Sequence, residues 1–97
     1  MATLAIRAGA VADLRGIMIY SEARYGIELA EAYMGAIDRS FDRLRDFPEL
    51  GEARADLGTN LRSLPCGEHR IFYRYVGGHI SIVRVLHKAM DPRKWLD

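Results

Sequence analysis

Cysteine is nearly missing from this chain of 97 residues: Cys66 stands alone. No disulfide can form within the chain, so packing rather than covalent stapling must hold the fold. Proline is scarce as well, at three residues, and no Pro/Ser-rich stretch, low-complexity tract or internal repeat marks a linker. Long apolar runs are absent; pieces such as Ile17-Met18-Ile19-Tyr20 fall far short of the ~20 residues that cross a bilayer. The start, Met-Ala-Thr-Leu-Ala-Ile-Arg, has no basic segment followed by a long apolar one. Together these absences lead us to expect a cytoplasmic protein. Net charge is also small, +1 from 14 Lys+Arg and 13 Asp+Glu, which excludes attachment to nucleic acid by bulk charge. No G-x-x-x-x-G-K or G-x-G-x-x-G loop offers a phosphate cradle, so nucleotide hydrolysis is not expected.

What is present suffices for one folded domain, residues 1–97. Hydrophobic residues at 49% are too many for a disordered chain, and the length suits a single core. The small net charge hides an asymmetry. Residues 1–60 carry seven Arg against ten Asp/Glu, net −3, and residues 61–97 carry seven Lys/Arg against three Asp/Glu, net +4.

Periodicity divides the chain. Leu4 and Ile6 alternate in a strand over Thr3 to Arg7. From Ala10, Val11, Leu14, Ile17, Met18 and Tyr25 follow a helical stripe that ends at Gly26, a suitable terminating glycine. Ala30, Tyr33, Met34, Ile37, Phe41 and Leu44 define a second helix that stops near Phe47, before Pro48. A single glycine between them predicts an antiparallel helical hairpin whose stripes are core. Residues 48–60 read as surface loop. Leu61 to Leu64 is a short strand ended by Pro65, with Pro65-Cys66-Gly67 as a tight connection. Runs 70–76 and 79–87 are strands joined by Gly77-Gly78, a hairpin signal. Asp91-Pro92 starts a last helical turn. The expected architecture is α+β, βααβββ: a helical hairpin packed on one face of a mainly antiparallel sheet, with a short C-terminal helical turn.

Alternation sets Arg70, Phe72, Arg74 and Val76 on one face of the first long strand, and Ile80, Ile82, Arg84 and Leu86 on one face of the second. Arginines amid apolar residues need a carboxylate, a phosphate or solvent. One reading is a basic concave surface of Arg62, Arg70, Arg74 and Arg84 with His87 and Lys88 at its margin; the other pairs some of them with local acids such as Glu68 or Asp91. Metal spacing is poor, the isolated Cys66-x-x-His69 being the only pair. A nucleophilic role for Cys66 with His69 or His87 lacks an orienting third group. Trp95 suits closing a small core better than stacking on a partner. Glu31, Asp38, Asp42 and Asp46 form a solvated helical line beside Arg39 and Arg43.

Taken together, the Ala12-Asp13-Leu14, Gly26, Tyr33, Pro48, Arg54-Ala55-Asp56-Leu57, Leu61-Arg62-Ser63-Leu64-Pro65, His69-Arg70-Ile71-Phe72-Tyr73 and Ile82 to His87 elements, with Met90-Asp91, resemble the ParE toxins of bacterial type II toxin–antitoxin modules, within the RelE/ParE superfamily. The resemblance implies a growth-arresting toxin that stabilises a plasmid or chromosome. It would be held in a hetero-oligomer by a ParD-like antitoxin, a DNA-binding protein with a flexible C-terminal segment that folds onto the toxin. The freed toxin would trap cleaved DNA on gyrase, without cofactor, catalytic residue, membrane attachment or sequence-specific DNA contact of its own. Partner contacts are expected at Arg70, Arg74, Arg84, His87 and Trp95. The RelE-like branch of the superfamily instead cuts messenger RNA on the ribosome. For that alternative the candidates are Arg62, Arg70, His87 and Lys88, and no tyrosine follows Tyr75 to serve as the C-terminal nuclease tyrosine.

Overall fold

A computed structural model describes residues 1–96; Asp97, the last residue of the expected domain, lies outside the described residues. The elements run β1 (Thr3–Ile6), α1 (Ala8–Tyr25), α2 (Ile27–Asp46), β2 (Glu52–Ala53), β3 (Leu61–Cys66), β4 (His69–Val76), β5 (His79–His87) and α3 (Pro92–Trp95). The sheet has the order β1-β5-β4-β3-β2, with β1 parallel to β5 and every other pair antiparallel. The helical hairpin lies on one face, as its stripe requires: Ala30, Ile37, Phe41 and Leu44 of α2 are buried with Ile71, Tyr73, Ile80, Ile82 and Val85 of the sheet. Gly26 serves both helices at once. Its N–H closes α1 on Glu22, and its carbonyl accepts the first bond of α2 from Ala30. Gly77 and Gly78 have φ of 56° and 77°, the two positive values that a primed two-residue hairpin turn demands.

Four details depart from the periodicity. The stripe of α1 is looser than expected: Tyr25 is exposed, and so are Ile19 and Tyr20. The stretch read as loop contains β2, whose two residues pair with Arg62 and Ser63 and are too few for any period to register. Pro65 does not end β3, which continues to Cys66 and turns at Gly67, φ 56°. β2 pairs only as far as Ser63, so Pro65 sits where β3 is an edge strand and its missing N–H breaks no ladder bond.

The fourth departure moves a charge. Phe72 pairs with Arg84 but Tyr73 pairs with Ile82, leaving Val83 as a bulge. The extra residue shifts the alternation of β5 by one. Ile80 and Ile82 therefore face the helices together with Val85, whereas Arg84 and Leu86 share the opposite face with Phe72 and Arg70. That face is not left open either. Phe72, Leu86, Leu61 and Ser63 on it are buried. The 54–59 segment and α3 lie over it, Arg54 Nη1 reaching Ser63 Oγ at 3.5 Å and Arg93 lying 3.9 Å from Asp56. Asp91 caps α3, its carboxylate accepting from Arg93 N at 3.0 Å.

Candidate functional site

The four arginines of the basic half go to different places. Arg84 lies along the stretch of β5 that β1 does not reach and donates to both carboxylate oxygens of Asp13, at 2.7 and 2.8 Å, and to the Trp95 carbonyl at 2.8 Å. Asp13 also accepts from Val85 N at 2.9 Å. One carboxylate thus neutralises a half-buried guanidinium and occupies a ladder position of the strand. The local acids expected as partners do other work: Glu68 pairs with Lys88 at 2.8 Å and Asp91 caps α3. Arg62 donates to the carbonyls of Glu49 and Gly51, at 3.2 and 2.8 Å. Arg74 donates to Thr59 O at 3.4 Å. Arg70 is exposed and, among the described residues, has no hydrogen-bond or ion-pair partner. Trp95 is partly exposed on α3.

Nor do the nuclease candidates share a cleft. Arg62 pairs with Tyr73 and His87 with His69; four residues of β4 separate them, about 13 Å at the rise of a strand. Arg70 is on the face opposite His87, and the Lys88 ammonium is taken by Glu68.

His87 instead belongs to a cluster at the end of the sheet, below the tip of the helical hairpin. Its ring meets that of His69 edge-on at 5.5 Å, and His69 in turn lies 5.6 Å from the Tyr33 ring. Tyr33 Oη accepts from Glu68 N at 2.9 Å and sits 2.6 Å from His69 Nδ1, closer than its 3.2 Å to the Cys66 carbonyl. With the hydroxyl proton donated to the Cys66 carbonyl, all three contacts are satisfied when His69 Nδ1–H donates to Tyr33 Oη. His87 Nδ1 accepts from Ala89 N at 3.0 Å, which leaves the proton of this ring on Nε2. Burial, helped by the neighbouring His87, holds the His69 pKa below its ordinary value, and burial raises that of Tyr33. Cys66 and His69 are register partners, but the buried Cys66 thiol receives Ser40 Oγ at 3.5 Å. No group of three His, Cys, Asp or Glu side chains suited to a metal comes together among the described residues.

Two recesses of about 390 and 480 Å³ flank the pair and share Tyr20, His69 and His87. Tyr25 and Leu29 rim the larger, and both are more than half exposed, at 57% and 62%. Sequence reasoning picked out His87 here but assigned Tyr33 and Tyr25 to core stripes. A surplus of apolar residues around α1, at Ile19, Tyr20 and Tyr25, was the available signal.

A family model described as the ParE toxin of type II toxin–antitoxin systems, parDE, matches residues 4–92. The chain belongs to the ParE toxin family. Toxin ParE1 of Caulobacter vibrioides is 37% identical over 87 residues, 90% of either chain. Toxin ParE1 of Mycobacterium tuberculosis is 37% identical over 83 residues, covering 84% of this chain and 85% of its own. Among solved structures, a chain from the chromosomal ParDE system of P. aeruginosa superposes with a TM-score of 0.77 at 24% identity, over 90% of this chain and 96% of that one. Membership in the ParE family implies an antitoxin partner, and the exposed apolar residues around the hairpin tip are a surface that a partner would cover. No helix among the described residues is long and apolar enough to cross a membrane.

Proposed function

We propose that this ParE-family chain arrests growth by binding DNA gyrase and stabilising its cleaved-DNA intermediate, and that a ParD-like antitoxin neutralises it in a hetero-oligomer in the cytoplasm. The observation that carries the reading is the dispersal of Arg62, Arg70, His87 and Lys88 within a fold matched by the ParE family model over residues 4–92. Ribonuclease action needs a base, an acid and a phosphate-stabilising cation around one scissile bond. Here the cations lie on two faces and His87 is paired with another imidazole. Arg70, with no partner inside the described chain, is the arginine best able to meet an acidic group on a partner; Arg74 is on the same strand face four residues further along, and Arg84 and Trp95 are joined to each other through the Trp95 carbonyl.

The test is induction of the toxin without antitoxin, with DNA and protein synthesis followed in parallel. DNA synthesis is expected to stop first, with gyrase-linked DNA breaks. A prompt arrest of translation with replication intact would overturn the gyrase reading in favour of messenger RNA cleavage.

A further inference from the structure

We propose that the outward edge of β1 pairs with β1 of a second copy of this chain, antiparallel about a twofold axis at Ala5, so that the two sheets become one. The pairing belongs to the chain by itself and does not depend on gyrase as target.

Three observations lead here. The first is unpaired backbone. β1 ends the sheet, and its odd residues turn inward: Thr3 N donates to Gly78 O and Arg7 N to Ile82 O. Leu4 and Ile6 therefore point their N–H and C=O groups away from β5. Ala2, the next residue on that side, has its N–H on Arg45 O at 2.9 Å, whereas the N–H groups of Leu4 and Ile6 have no partner among the described residues. β1 also lacks the usual guards of an open edge, having no proline, charge or bulge.

The second is self-complementarity. Two residues with outward groups, two positions apart, match themselves when the strand is turned around. Leu4 of one copy then faces Ile6 of the other, and each such pair exchanges two N–H···O bonds, which uses every open N–H of both edges. Ala5 faces its own copy across the axis, at a site where antiparallel strands approach to about 4.5 Å, and it has the smallest side chain of the strand. The third is what flanks the edge. Leu4 packs against the core, and Ile6, 38% exposed, borders a recess of about 300 Å³ with Leu14, Met34, Ile37 and Asp38. On pairing, Leu4 of the second copy covers Ile6. The flanking charge is negative, from Asp38 and from the C-terminal end of α2, whose Arg45 carbonyl meets Ala2. That disfavours an acidic partner strand, and β1 carries no acid.

The test uses the full chain made by cell-free synthesis, without antitoxin. Ala5→Cys sets two thiols at the axis, within the reach of a disulfide; Thr3 and its copy are offset by four residues, about 13 Å, and are beyond it. Both positions are exposed, and Cys66 is buried. With oxidised glutathione, Ala5→Cys is expected to form a covalent dimer at least about tenfold faster than Thr3→Cys. The contact is small, so sedimentation equilibrium should show a weak dimer, with a dissociation constant on the order of 10–100 μM. Ile6→Lys is expected to weaken it about tenfold, and Leu29→Lys, at the hairpin tip, to leave it unchanged. Equal cross-linking of Ala5→Cys and Thr3→Cys would overturn the pairing, and that comparison does not depend on the folding of Ile6→Lys. So would an unsubstituted chain that stays monomeric at about 0.5 mM. Loss of the dimer in Leu29→Lys but not in Ile6→Lys would overturn it as well, by placing the second copy on the hairpin groove.

Discussion

Two tyrosines, one at each end of the sheet, do similar jobs in different settings. Tyr73 is fully buried; its hydroxyl donates to Pro48 O at 2.7 Å and accepts from Gly51 N at 2.8 Å, tying the segment after α2 to β4. Tyr33 is half-buried, and its hydroxyl holds the β3–β4 turn at Glu68 N while reaching the titratable ring of His69. Each is backed by a glycine, with no room for a methyl group. A Cβ on Gly51 would lie 2.6 Å from Tyr73 Oη, and one on Gly67 would lie 2.6 Å from Tyr33 Cε1. The difference lies in what surrounds them. Tyr73 is closed in by backbone, so that end is purely structural. Tyr33 borders an apolar groove rimmed by exposed Tyr20, Tyr25 and Leu29, which suits a surface completed by another chain.

The largest effect is expected from Gly51→Ala. Its methyl group would also lie 2.9 Å from the Ser63 carbonyl, and neither that strand nor the buried Tyr73 ring has space to yield. A loss of about 3 kcal/mol in denaturant unfolding is expected, with antitoxin affinity per folded molecule unchanged.

Next is the pair of hydroxyl deletions. Tyr73→Phe strands the Pro48 carbonyl and the Gly51 amide in the interior and should lower stability by about 2 kcal/mol. Tyr33→Phe should cost about 1 kcal/mol, because Glu68 N and the His69 ring can turn to water. It should nonetheless disturb antitoxin binding more than Tyr73→Phe does. The reverse order of binding effects would show that the two ends are alike.

The smallest effect is on pH dependence. Burial holds the His69 pKa below its unfolded value, so at mildly acid pH the unfolded chain binds the extra proton first. Stability is therefore full above about pH 6.5 and declines as the pH falls through that value toward the folded pKa. His69→Gln should flatten this part of the curve, measured as denaturation midpoint against pH. The corresponding variants at the Tyr73 end should leave it in place.

Much of the architecture could be read along the chain because its signals are local. The α2 stripe, the single glycine between the helices and Gly77-Gly78 each act within a few residues, and the βαα start and the final hairpin follow from them. Contacts between distant residues left no such trace. Asp13 and Arg84 are 71 residues apart; nothing in the spacing of either pairs them, so nearer acids were the natural expectation. The bulge at Val83 is one residue without a turn signal, yet it moves Arg84 and Leu86 to the other face. The groove was legible only in part, through His87. Tyr33 has the spacing of a core residue, and only its hydroxyl contacts show it to be a boundary.

By itself, then, the sequence determined the fold class, the family through motifs spread over nearly its whole length, and an acidic helical part followed by a basic sheet-bearing one. Tertiary structure decided where that basic surplus is spent. Coulombic pairing depends on distance in space, and the packing of α1 beside β5 brings Asp13 to Arg84 while leaving Arg70 to solvent. Packing also joined three rings from α2, β4 and β5 at one groove, because a hydrogen bond's direction is set only when the elements carrying its two ends have docked.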